Sequence, residues 1–152
     1  MMTNQHENII KIVSEIFTKT KRLKEYYNYL LNEDLGPRLG CFIKEQYHQK
    51  SRFLIELERE WYQLQSINSM IKLNDTQDGL TWITANSDLE SLKENQLLKQ
   101  LLIIENKTIS CYKQIKRAYE LPNDLMRVID SQLDEIKYTS DTINKLEDLP
   151  VC

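Results

Sequence analysis

The stretch Glu94–Tyr119 reads ENQLLKQLLIIENKTISCYKQIKRAY and decides the fold. Its apolar residues recur at steps of three and four, which gathers them on one face of a long helix. The stripe consists of Leu97, Leu98, Leu101, Leu102, Glu105, Thr108, Ile109, Tyr112, Ile115 and Tyr119. A single acid, Glu105, lies in the middle of it. The stretch therefore predicts an amphipathic helix with a carboxylate near the centre of its buried face.

Three further amphipathic stripes lie before and after this stretch. Together the four predict helices over about residues 4–31, 37–72, 88–120 and 124–147, in one domain spanning 1–152. Only three glycines and three prolines are present, so helices should be long and turns few. The first and third links are short and join antiparallel neighbours.

The middle link is the feature that sets the order of the helices. Asn74–Ser87 spans about fourteen residues and reaches roughly 45 Å when extended. A link of this length suits a crossover that lays the second and third helices parallel. We therefore predict an all-α, ferritin-like four-helix bundle with a long crossover between helices two and three.

Composition excludes several classes of function. The formal net charge of −3 gives no basic footprint for nucleic acid, and no apolar run is long enough to span a membrane. The only histidines are His6 and His48, and no glycine-rich phosphate loop occurs. A nucleophilic triad is therefore not expected, and we predict that the protein is not an enzyme.

The cysteines bear on the compartment. Cys41, Cys111 and Cys152 are odd in number and widely spaced, a pattern that predicts neither a disulfide framework nor a zinc site. The polar start of the chain has no secretory signal. We therefore expect reduced thiols and a cytoplasmic protein.

Several local patterns resemble one known family. They are Tyr27, Gly36-Pro37-x-Leu39, Phe53-Leu54-Ile55-Glu56-Leu57, Trp82, Glu105 with Tyr112, Leu121-Pro122-Asn123-Asp124, Gln132-x-x-Glu135-Ile136 and Asp141. Across roughly Ile9 to Leu146, the chain resembles a bacterial domain-of-unknown-function family of ferritin-like four-helix-bundle proteins. That resemblance implies the bundle fold and no agreed activity. Ser140 stands where the family pattern has a histidine, which weakens an inherited metal role.

A ferritin-like di-iron centre needs an inward Glu on two helices and an inward Glu-x-x-His on the other two. The only literal match is Glu45-Gln46-Tyr47-His48, and the helical period turns His48 to solvent. On the last helix, Glu135 is followed by Tyr138 where the histidine should be. We therefore predict no metal cofactor; the alternative is an iron or manganese site formed by Glu105 with Glu56 or Glu135.

Glu105 needs a partner if it is enclosed, because an unpaired buried charge is costly. We predict that it pairs with Lys24 or Lys50 in a buried polar plug completed by Gln46, Thr108, Gln132 and Thr139. The other interpretation is that Glu105 lies at the edge of the stripe and reaches solvent. Paired acids elsewhere, such as Glu58 and Glu60, are expected on solvated surfaces.

Aromatic residues off the stripes predict an interface, since clustered exposed apolar residues mark contact sites. The candidates are Tyr26, Tyr29, Tyr62 and Trp82, which predict a homodimer that uses the first two helices. The function we expect is a non-catalytic structural or interaction module with an unknown protein partner, and the family resemblance implies an association with stress. The alternative is a metal-binding protein that handles iron or oxidants.

Overall fold

The computed structural model describes residues 2–65 and 94–149, and all regular structure in these ranges is helical. These ranges contain four long helices: α1 (Met2–Leu31), α2 (Pro37–Gln65), α3 (Glu94–Ala118) and α4 (Asn123–Thr142). A 3₁₀ turn, Leu146–Asp148, follows α4. The all-α prediction is confirmed. None of the described helices is long and apolar enough to cross a membrane.

The turn between α1 and α2 is made by Gly36 and Pro37. Gly36 has a φ of 71°, a left-handed conformation that glycine adopts without steric cost. Pro37 then occupies the first position of α2, where no intrahelical N–H is required. This short turn makes α1 and α2 antiparallel neighbours along most of their length.

The two apolar clusters of the core show the direction of each helix. One cluster joins the start of α2 to the start of α3, through residues such as Leu39 and Leu97. The other joins their later turns, through Trp61 and Ile115. The start of α3 also lies at the first turn, where a Cβ on Gly36 would collide with the Glu94 carboxylate. Helices α2 and α3 therefore run parallel.

The same clusters place α1 and α4 in the opposite direction. Ile9 and Ile10 at the start of α1 lie in one cluster with Trp61, and so does Leu125 at the start of α4. In chain order the helices run up, down, down and up. The segment that joins α2 to α3, including the predicted ends at 72 and 88, lies outside the described residues.

The chain departs from the predicted bounds at the ends of the last two helices. α3 ends at Ala118, which leaves Tyr119 exposed rather than on the buried stripe. α4 ends at Thr142, not near residue 147, because Ile143 adopts an extended conformation. The Asp148 carboxylate accepts hydrogen bonds from the backbone N–H groups of Asn144 and Lys145, which stabilises the turn that follows. Leu149 then packs into the cluster at that end of the bundle.

Candidate functional site: a buried ion pair at the centre of the bundle

A polar layer separates the two apolar clusters at mid-height. We define this central polar layer by Tyr27, Gln46, Gln49, Lys50 and Glu105, all of which are buried. α1 supplies the tyrosine, α2 the two glutamines and the lysine, and α3 the acid. Regular helical spacing places these polar side chains where three helices face one another.

Lys50 is the cation of this layer. Its Nζ donates to Glu105 Oε1 at 2.6 Å, to Gln49 Oε1 at 2.7 Å and to Gln46 Oε1 at 3.4 Å. An ammonium carries three donors, and each has an acceptor here. Both charged side chains are only 1% exposed. The ammonium is therefore saturated by protein groups without help from solvent.

Glu105 is held from two sides. Its Oε1 accepts from Lys50 of α2 and from the Tyr27 hydroxyl of α1, at 3.2 Å. Its Oε2 has no hydrogen-bond partner within the described residues. Burial raises the pKa of Tyr27 well above 10.0, and the nearby Glu105 charge raises it further. Tyr27 therefore stays protonated and remains a donor to the carboxylate.

A second network lies one layer away and is centred on Gln132 of α4. The Tyr112 hydroxyl donates to Gln132 Oε1 at 2.6 Å. Gln132 Nε2 donates to the Phe53 carbonyl at 3.3 Å and to Glu56 Oε1 at 3.1 Å. Burial raises the pKa of Tyr112 as well. This amide links α2, α3 and α4 without introducing a charge.

The predicted plug residues are only partly brought together. Of the two candidate lysines, Lys50 contacts Glu105, whereas Lys24 lies elsewhere, with Nζ 5.6 Å from the centroid of the Tyr47 ring. Two predicted members bond their own helix instead: Thr108 donates to the Ile104 carbonyl and Thr139 to the Glu135 carbonyl. Glu105 is enclosed, so the interpretation that it reaches solvent is wrong.

Each carboxylate of the alternative metal site is engaged by another side chain. Glu105 pairs with Lys50, and Glu56 accepts from Gln132. Glu135 is held by the Arg52 guanidinium at 2.9 Å and 3.4 Å, and this hydrogen bonding raises the pKa of Arg52. No group of three potential metal ligands occurs in the described ranges.

The inward donor set does not fit a di-iron centre. Such a centre needs four inward carboxylates and two imidazoles. Here a lysine ammonium lies against the one carboxylate of the central polar layer. His48 is exposed, as its helical position predicts.

The predicted interface residues are spread over the surface. Tyr29 and Tyr62 are exposed, but Tyr29 lies near the end of α1 at the α1–α2 turn and Tyr62 near the far end of α2. Tyr26 is half-buried. Trp82 lies outside the described residues. Ile55 and Tyr62 are exposed seven residues apart on one face of α2.

The sequence did not predict two features of the site and one buried acid outside it. The link between the Tyr27 hydroxyl and Glu105 was not predicted; the signal was that a buried tyrosine hydroxyl normally has a hydrogen-bond partner. Gln49 was not predicted either, although it lies three residues after Gln46 and four before Phe53, a helical spacing that places it on the buried face. Glu60 is buried rather than solvated, and burial, with Asp124 nearby, raises its pKa.

The cysteines differ from the expectation of reduced thiols. Cys41 is disulfide-bonded, and Cys111 is free and half-buried. The partner of Cys41 lies outside the described residues. The expectation is therefore wrong for Cys41.

The chain matches no protein-family model, and no curated protein or solved structure is significantly similar to it. The site therefore has to be interpreted from its own residues.

Proposed function

We propose that this protein is a non-catalytic ferritin-like bundle that serves as a structural or interaction module, with an ion pair at its centre instead of a di-iron site. The observation that carries the proposal is the position of Lys50 Nζ, 2.6 Å from Glu105 in a fully buried layer. The parallel direction of α2 and α3, inferred from the two clusters, supports the ferritin-like arrangement. Membership of the bacterial family that the sequence resembles is part of the same proposal.

Electrostatics explains why the ion pair and a metal centre exclude each other. A divalent cation in the central polar layer would lie close to the Lys50 ammonium, and like charges repel strongly where the dielectric constant is low. Lys50 already compensates the Glu105 charge and donates hydrogen bonds to the amide oxygens of Gln46 and Gln49. These oxygens are therefore not free to bind a metal ion. A metal ion would have to displace this cation and leave it buried without its partner.

Metal analysis after loading with excess Fe²⁺ or Mn²⁺ tests the proposal, with Glu105→Gln as the matched variant. Glutamine keeps the size of the side chain and removes the charge. We expect both proteins to retain far less than one ion per chain after gel filtration. Equal trace retention would reflect binding away from Glu105.

Two results would contradict the proposal. Two ions per wild-type chain that are lost in Glu105→Gln would show a di-metal centre. One such ion would favour the alternative, an iron or manganese protein using Glu105 with Glu56 or Glu135.

The homodimer stays a prediction. The exposed residues of α2 indicate which surface would form the contact between the two subunits. Ile55 and Tyr62 lie on the same side of that helix, whereas Tyr29 lies at the other end. We propose that this α2 face is the contact. Light scattering at micromolar concentration should give a dimer for the wild type and for Tyr138→Ser, an exposed position on α4, but a monomer for Ile55→Ser/Tyr62→Ser. A monomeric wild type would contradict the proposed dimer.

The cytoplasmic location also stays a prediction. Part of its basis was the expectation that all the cysteines are reduced, which does not hold for Cys41. Disulfides persist mainly in oxidising compartments. The bond at Cys41 therefore favours such a compartment. A thiol count on protein taken from its native source under denaturing, alkylating conditions distinguishes the two locations.

A further inference from the structure

A cavity of about 170 Å³ lies between α1 and α3, beside the central polar layer. Its inner walls are apolar and include Ile16, Leu23 and the ring of Tyr112. These three residues are buried, so their positions are fixed by core packing. The cavity is therefore a preformed space in the bundle rather than a gap between loose surface side chains.

The volume limits what the cavity can hold. An apolar cavity of roughly 150 Å³ in another protein takes one benzene molecule, and pockets for drug-sized ligands start at about 300 Å³. A single phenyl ring or a short alkyl chain fits the space here. A nucleotide does not.

The charge around the cavity is positive. Lys19 and Lys107 line it, one from each helix, and no acid is among the described residues that line it. Lys19 Nζ lies 3.3 Å from Cys111 Sγ, another lining residue. Lys107 is exposed and forms no ion pair within the described ranges. Both ammonium groups can therefore turn toward an anion.

We propose that this cavity binds a small carboxylate with an apolar body. The ring or chain of such a ligand would contact Ile16, Leu23 and Tyr112, while its carboxylate would accept hydrogen bonds from Lys19 and Lys107. Hydrogen bonds between two charged groups are the stronger kind. Inorganic phosphate is excluded as the preferred ligand because it leaves the apolar walls unfilled.

Calorimetric titration with benzoate tests the proposal, with benzamide, benzylamine and inorganic phosphate as comparison probes. We expect benzoate to bind about tenfold more tightly than benzamide, a ratio typical of one added charge-assisted hydrogen bond. Benzylamine and phosphate should bind more weakly still. Lys19→Met/Lys107→Met should remove the preference for benzoate over benzamide, whereas Lys113→Met, an exposed position outside the cavity, should not.

Cys111 supplies a second readout in the unaltered protein. Because its free thiol lines the cavity, bound benzoate should slow its alkylation by iodoacetamide, measured by mass spectrometry of the Cys111 peptide. Benzamide at the same concentration should slow it less. This readout locates the ligand, which calorimetry alone does not.

Three results would overturn the proposal. Equal affinity for benzoate and benzamide would show an apolar cavity with no preference for anions. Absence of benzoate binding up to about 10 mM would show that the space holds no such ligand. Binding that leaves Cys111 alkylation unchanged would place benzoate elsewhere on the protein.

Discussion

Helix α2 carries two ion pairs whose cations are two residues apart in sequence, and the pairs lie in opposite surroundings. Lys50 and Glu105 are each 1% exposed, whereas Arg52 and Glu135 are 57% and 36% exposed. Water screens the second pair and can solvate either partner alone. Water cannot solvate Lys50 or Glu105 in this way, because both side chains are buried. We therefore expect exposure, more than the distance between the charges, to set the cost of losing a partner.

The largest expected effect is the loss of one member of the buried pair. Lys50→Met leaves the Glu105 charge enclosed without its cation, and Glu105→Leu leaves Lys50 in the same condition. Each should lower the free energy of unfolding by about 3–5 kcal/mol. Urea denaturation measures this, with Lys44→Met, an exposed lysine on α2, as the matched control. Losses below about 1 kcal/mol would mean that water reaches the layer.

A smaller effect is expected for Tyr27→Phe, which removes the second donor to Glu105. Loss of this hydrogen bond should cost about 1–3 kcal/mol. Tyr29→Phe, an exposed position on the same helix, should change little.

The pH dependence of Tyr27→Phe follows from the raised pKa of Tyr27 in the folded protein. Above about pH 10, the unfolded tyrosine loses its proton while the folded one keeps it, so stability falls as pH rises. The variant lacks this titration, and its stability should fall less steeply. Urea denaturation between pH 8 and pH 11 measures the difference; identical slopes would show that Tyr27 is not enclosed.

The smallest effect is expected at the exposed pair. Arg52→Gln or Glu135→Gln should cost about 0.2–1 kcal/mol, and added salt should reduce even that. Urea denaturation at low and high ionic strength measures both quantities. A loss as large as that of Lys50→Met would contradict the role given to exposure.

The sequence predicted the helices and the stripe around Glu105 because periodic apolar residues report a buried face directly. It also left Lys50 as one of two candidate partners. It could not choose between Lys50 and Lys24, because both lie near mid-height and the choice depends on how the helices pack. The sequence did not predict that Leu146–Asp148 forms a separate turn. This turn depends on hydrogen bonds from backbone N–H groups to Asp148, which no periodic pattern reveals.

The cavity and the full set of hydrogen bonds to Lys50 could not be predicted from the sequence either, because both depend on how the side chains and helices pack. The Gln49 amide oxygen lies 2.7 Å from Lys50 Nζ, a contact between sequence neighbours that the helical period does not predict. The space between α1 and α3 depends on the separation of two helices that are distant in sequence. Distances of this kind are properties of the packed bundle.

A double-mutant cycle on Lys50→Met and Glu105→Leu tests the central claim most directly. The double variant replaces the pair by two apolar side chains, which is often neutral or stabilising by about 1–4 kcal/mol when the site packs well. We predict that it is more stable than either single variant, with a coupling energy of at least about 2 kcal/mol. Additivity within about 0.5 kcal/mol would show that Lys50 and Glu105 do not depend on each other and would contradict the account.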